Sequence, residues 1–139
     1  MRILYLGDIV GEKTISILKT HLEDIKKEYH IHMVLCNAEN VTKGRGLSFQ
    51  HYKELKCLGI AGMSMGNHTF SKSEIKDYID EATIARPANL GTTLGKSVLY
   101  IHYNQEVIAL VNLMGRVYLN QPLDCPFKTM EALLPTIHA

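Results

Sequence analysis

Short apolar runs alternate with amphipathic stretches along most of this chain. Residues 3–6, Ile-Leu-Tyr-Leu, form a continuous apolar run of strand length. Residues 12–29 then take helical spacing. Ile15, Leu18, Leu22 and Ile25 fall on one face, and Lys19, Glu23, Lys26 and Lys27 fall away from it. A second apolar run covers 31–36. Ser48 suits the cap of a helix reaching about residue 58, with Gly59 as its stop. A third run covers 60–65. Ser71-Lys72-Ser73-Glu74 has the spacing of a capping box and predicts a short helix to about Ile79. A short fourth strand ends near Arg86-Pro87-Ala88-Asn89. Residues 97–103 and 106–113 predict a hairpin around Asn104-Gln105, and 127–134 a last helix.

This order is β-α-β-α-β followed by a hairpin. Apolar strands alternating with amphipathic helices predict an α/β fold whose parallel sheet is covered on both faces. The 139 residues make one domain, 1–139. Hydrophobic residues are 46% and charged residues 21%, which supports a packed core. A formal net charge of +1 gives no bulk signature for nucleic acid. The apolar runs are too short for a bilayer, and the early Asp8 argues against a signal peptide, so a cytoplasmic location is expected. Cys36, Cys57 and Cys125 are odd in number and widely spaced, which predicts free thiols. The Asn-x-Thr triplets at Asn40 and Asn67 are discounted as glycan acceptors on the same ground.

The chemistry lies where the strands end. The first run ends in Gly7-Asp8, the second in Asn37-Ala38-Glu39-Asn40, and the third in Gly66-Asn67-His68. In an open parallel sheet, ligands bind beyond the carboxyl ends of the strands. That rule gathers Asp8, Glu39, Asn40, Asn67 and His68 on one rim. Carboxylates and amide carbonyls are hard oxygen donors, suited to magnesium, manganese or iron. A carboxylate such as Glu39 can bridge two cations. An imidazole titrates near working pH, so His68 suits metal binding or proton donation to a departing oxygen. Taken singly, each residue has a plainer role. Asp8 suits a helix cap, Glu39 a solvated loop, and Asn37, Asn89 and Asn112 turn chemistry. Jointly, several strands ending in potential ligands favour a site.

Other motifs carry less. Gly7-Asp8-Ile9-Val10-Gly11-Glu12-Lys13-Thr14 is not a phosphate-binding P-loop. Only three residues separate its glycines, Glu12 precedes Lys13, and the acids would repel phosphate. Lys43-Gly44-Arg45-Gly46 reads as a solvated basic loop, with contact to a substrate phosphate as the other reading. His30 and His32 read as surface residues. His21, His51, His102 and His138 have no partner that sequence identifies. Phe49, Tyr52 and Leu55 read as helix packing, and Met63, Met65 and Met114 as core filler.

Five motifs occur in order: Leu6-Gly7-Asp8-Ile9-Val10-Gly11, Asn37-Ala38-Glu39-Asn40, Gly66-Asn67-His68-Thr69, Arg86-Pro87-Ala88-Asn89 and Asn112-Leu113-Met114-Gly115-Arg116. Together they resemble the YmdB-like branch of the calcineurin-type metallophosphoesterases. The resemblance implies an αββα sandwich, of which this chain is the amino-terminal portion. It implies two divalent metal ions, iron or manganese first and magnesium next. It implies hydrolysis of small phosphodiesters such as 2′,3′-cyclic nucleotides. By motif, Asp8, Glu39, Asn40 and Asn67 correspond to metal ligands, with Glu39 as the bridge, and His68 to the proton donor. The family's further histidine motifs do not occur here, and His138 is not assigned to them. Two other expectations therefore stand beside the enzyme: a folded but inactive module, prone to homo-oligomerise, and a metal-free flavodoxin-like nucleotide-binding domain.

Overall fold

A computed structural model describes residues 1–137, so His138 lies outside the described residues. Strands β1 (Ile3–Leu6), β2 (Met33–Asn37), β3 (Ile60–Ser64) and β4 (Ile84–Ala85) form one parallel sheet in the order β1-β2-β3-β4. Helices α1 (Gly11–Glu28) and α2 (Phe49–Cys57) connect the first three strands. Strands β5 (Val98–Tyr103) and β6 (Glu106–Val111) pair as an antiparallel hairpin, and α3 (Pro126–Ile137) follows. The architecture is mixed α/β with a parallel sheet, as the sequence predicts.

The sequential strand order has a geometric consequence. Right-handed crossovers between neighbouring strands, always stepping the same way, place every connecting helix on one face. Ile15, Leu18 and Leu22 of α1 and Leu55 of α2 accordingly share a core with Val34, Cys36, Ile60 and Met63. The hairpin, rather than a further helix, packs on the opposite face. Gly62 of β3 makes room for it: a β-carbon there would stand 2.6 Å from Cδ1 of Ile101 and 3.0 Å from Cδ2 of Leu99. Tyr5 reaches across β2 on this face, its hydroxyl 2.6 Å from Oγ of Ser64. The edge strand β1 is less covered, and Ile3 and Tyr5 are exposed.

Local chemistry explains most element ends. Ser48 caps α2 by accepting from the His51 N–H, and Gly59 leaves the helix at φ +81°. Asn104 takes the left-handed conformation that a tight hairpin needs, with φ +53°. The expected capping box at 71–74 does not form. A 3-10 turn covers Ser73–Asp77, and Lys72 precedes it without a side-chain cap. Ser71 instead accepts from Nε of Arg45 and lies 3.4 Å from Nδ1 of His68. The last helix is longer than its apolar pattern predicts, and none of its described residues is buried. Met63, Met65 and Met114 are buried, as expected of core filler. Among the described residues, no helix is long and apolar enough to cross a membrane.

Candidate active site

The rim residues arrive through backbone constraints. After β1 ends, Ile9 N–H donates to the Asn37 carbonyl at 3.1 Å, and Gly11 N–H donates to that of Asn40 at 3.1 Å. The two strand exits are thus tied together. Beside those ties Asp8 is held at φ +46°, a conformation uncommon for a residue with a side chain. Nδ2 of Asn40 donates to Oδ1 of Asp8 at 2.7 Å. This orientation leaves the Asn40 side-chain carbonyl oxygen as its free acceptor.

Glu39 turns the other way, toward the end of β3. Its Oε2 accepts the backbone N–H of His68 at 3.1 Å, and its Oε1 lies 3.4 Å from Nδ2 of Asn37. Gly66 supplies the space, because a β-carbon there would stand 2.5 Å from Cδ of Glu39. The turn beyond β3 closes through Thr69, whose hydroxyl and N–H donate to the Gly66 carbonyl at 2.6 and 3.1 Å. Nδ2 of Asn67 stands 3.4 Å from Nδ1 of His68.

The structure therefore gathers the five predicted residues into two linked groups, a pair and a trio. Asp8 meets Asn40, Glu39 meets the Asn67–His68 backbone, and the Glu39–Asn40 peptide joins the two groups. Asp8 is exposed and the other four are half-buried, so all are open to a ligand. Two carboxylates and two amides give hard oxygen donors, and the space at Gly66 accommodates the Glu39 carboxylate. That chemistry fits one side of a divalent-cation site. Among the described residues, no three His, Cys, Asp or Glu side chains cluster as a metal centre of their own.

Several neighbours of the rim have contacts there that the sequence does not assign to them. Asn37 touches Glu39, Ser71 touches His68, and Nδ2 of Asn112 donates to the Met65 carbonyl at 2.5 Å. Arg45 is exposed, as a solvated loop predicts, yet reaches Ser71 at 3.2 Å. A separate cleft of about 530 Å³ between α1 and α2 holds none of the rim side chains. There His51 Nδ1 meets Thr42 Oγ1 at 2.9 Å and Ser48 Oγ at 3.1 Å, which gives this histidine a structural role.

The family model described as YmdB-like protein matches residues 4–139. A 2′,3′-cyclic-nucleotide 2′-phosphodiesterase from Bacillus subtilis is 39% identical over 136 residues, covering 96% of this chain and 51% of that protein. A crystal structure of a novel phosphatase from Mycoplasma pneumoniae superposes with a TM-score of 0.89 at 36% identity, covering 96% of this chain and 50% of that one. A hypothetical protein from Thermus thermophilus superposes with a TM-score of 0.89 at 32% identity, covering 97% of this chain and 53% of that one. The chain spans about half the length of the curated relatives it matches. With its parallel sheet and motifs matched from residue 4 onward, the chain belongs to the YmdB-like protein family.

Proposed function

We propose that this chain forms the amino-terminal part of a metal-dependent phosphodiesterase acting on small phosphodiesters, with 2′,3′-cyclic nucleotides as the first substrate class. The observation that carries the reading is the convergence of Asp8, Glu39, Asn40, Asn67 and His68 on one rim. The name of the Bacillus relative supports the substrate class. The sheet with helices on one face and a hairpin on the other supports reading the whole fold as an αββα sandwich.

In this reading Asp8, Glu39, Asn40 and Asn67 are the residues that would hold two divalent cations, iron or manganese first and magnesium next, with Glu39 shared between them. Such cations, when bound, supply Lewis acidity and an activated water for in-line attack at phosphorus. The Asn40 amide orients the Asp8 carboxylate, and Glu39 orients the His68 backbone. The imidazole of His68 donates its proton to the departing sugar oxygen. The turn closed by Thr69 keeps the ligand Asn67 and the donor His68 side by side.

The experiment is hydrolysis of 2′,3′-cyclic AMP and of bis(p-nitrophenyl) phosphate by the full-length gene product with manganese. Activity abolished by Glu39→Gln supports the reading, and an inert wild-type protein with bound metal counts against it. A second reading, an inactive folded module that self-associates, draws on the exposed apolar side chains Ile3 and Tyr5 at the sheet edge. Light scattering tests it: a monomer that hydrolyses the substrates excludes this module.

A further inference from the structure

Two of the five motifs, around residues 86–89 and 112–116, contribute no side chain to the rim, yet they lead into it. The Ala88 N–H donates to the Asn112 carbonyl at 2.8 Å, which bridges the two segments. Asn89, fully buried, accepts from the Met114 N–H at 2.9 Å and donates to the Met114 carbonyl at 2.8 Å. Segment 112–121 is thereby fastened at its start and runs on past the end of β3. Asn112 grips the Met65 carbonyl at 2.5 Å, and Nε2 of Gln121 grips the Asn67 carbonyl at 3.1 Å.

The second contact bears directly on the rim. The Asn67 carbonyl and the His68 N–H belong to the same peptide group. Gln121 holds its oxygen while Glu39 holds its N–H at 3.1 Å. A peptide plane held from both ends cannot rotate without breaking a hydrogen bond to a charged group, and such bonds are the stronger ones. This plane joins the residue placed as a metal ligand to the one placed as proton donor.

We infer that Asn112 and Gln121 are positioning residues: Asn112 holds the Met65 carbonyl where the turn leaves β3, Gln121 holds the Asn67 carbonyl of the Asn67–His68 peptide, and together they set the separation of binding and proton-donating groups. The inference rests on the phosphodiesterase reading for its catalytic meaning, but its structural content is independent. A turn residue at position 112 would tolerate any small polar side chain. A positioning residue needs the donor that aspartate lacks.

Amide hydrogen exchange on the full-length protein as isolated tests this. Asn112→Asp raises exchange of the His68 and Thr69 amides about tenfold relative to that of Cys36 in the sheet centre. Ile101→Ala, which loosens the hairpin without touching these bonds, shifts the three amides together. Gln121→Ala, at an exposed position, produces the same selective rise should Asn112→Asp fail to fold. With cyclic nucleotide as substrate, both variants lower kcat and leave KM within about twofold. Unchanged exchange at His68 and Thr69 in Gln121→Ala, or a rise matched by Cys36, overturns the inference. Absence of hydrolysis in the parent protein would instead overturn the phosphodiesterase reading, since the exchange rates are read without turnover.

Discussion

The carboxylate of Glu39 lies over Gly66, in the space a side chain at residue 66 would fill. A β-carbon there would stand 2.5 Å from both Cδ and Oε2 of Glu39. Gly66→Ala therefore drives the carboxylate away from the His68 N–H. The expected cost in stability is about 1–3 kcal/mol, as for other overpacked sites. On the proposed phosphodiesterase reading, with Glu39 as a metal ligand, activity is expected to fall further, about 100-fold, because displacing such a group by about an ångström is enough for that. Urea unfolding and steady-state kinetics on one preparation check both.

Arg86 is a buried cation with no acidic partner among the described residues. Its guanidinium donates to the carbonyls of Pro87 at 2.7 Å, Thr92 at 2.8 Å and Leu94 at 3.0 Å, so backbone oxygens take the place of an ion pair. Lysine cannot reproduce this planar fork. Arg86→Lys is expected to lose about 2–4 kcal/mol, since carbonyls of the 87–94 loop lose their donors. The drop in denaturation midpoint measures it, and limited proteolysis should find the first new cleavage within that loop.

Gly62 sets how closely the hairpin approaches the sheet. Gly62→Ala is expected to cost about 1–3 kcal/mol by pressing on Ile101 and Leu99. Shortening the obstructing side chain should relieve it. Gly62→Ala combined with Ile101→Val is predicted to be more stable than the sum of the single changes, and a double-mutant cycle in urea reads the coupling directly.

Two of the three thiols, Cys36 and Cys125, should separate by reactivity. Burial pushes the Cys36 thiol up from its usual 9.0 to about 12. The Lys128 backbone N–H, at the start of α3, holds the Cys125 thiol below its usual range. Mass spectrometry after brief iodoacetamide treatment should find Cys125 modified and Cys36 intact. The Cys36 shift also sets an alkaline limit. Above about pH 9 the unfolded chain releases the thiol proton while the folded chain retains it until about pH 12, so stability falls across that window. Cys36→Ala should flatten the fall.

Much of the fold follows from local pattern. The run 3–6 is β1, the face of Ile15, Leu18 and Leu22 is the buried face of α1, and Ser48 caps α2. The strand-end rule brings Asp8 to Asn40 and Glu39 to His68 because backbone topology alone decides where strands exit. What the pattern does not hold is long-range. Gly62 carries no apolar side chain, so the hairpin's seat on the helix-free face is invisible to periodicity. Ser71-Lys72-Ser73-Glu74 reads as a capping box, but Ser71 is drawn to Arg45 and His68 instead. The predicted strand 106–113 ends at Val111 because Asn112 leaves the hairpin to bridge Pro87 and hold Met65. Asn112 and Gln121 act across 47 and 54 residues, and no spacing rule reaches that far.

The most direct test of the central claim is turnover of 2′,3′-cyclic AMP as a function of manganese concentration, measured on the full-length gene product and on His68→Ala. If Asn67 and its neighbours hold metal while His68 moves the proton, the variant keeps the half-saturating manganese concentration and loses about 100-fold or more in kcat. Unchanged kcat in His68→Ala would contradict the account.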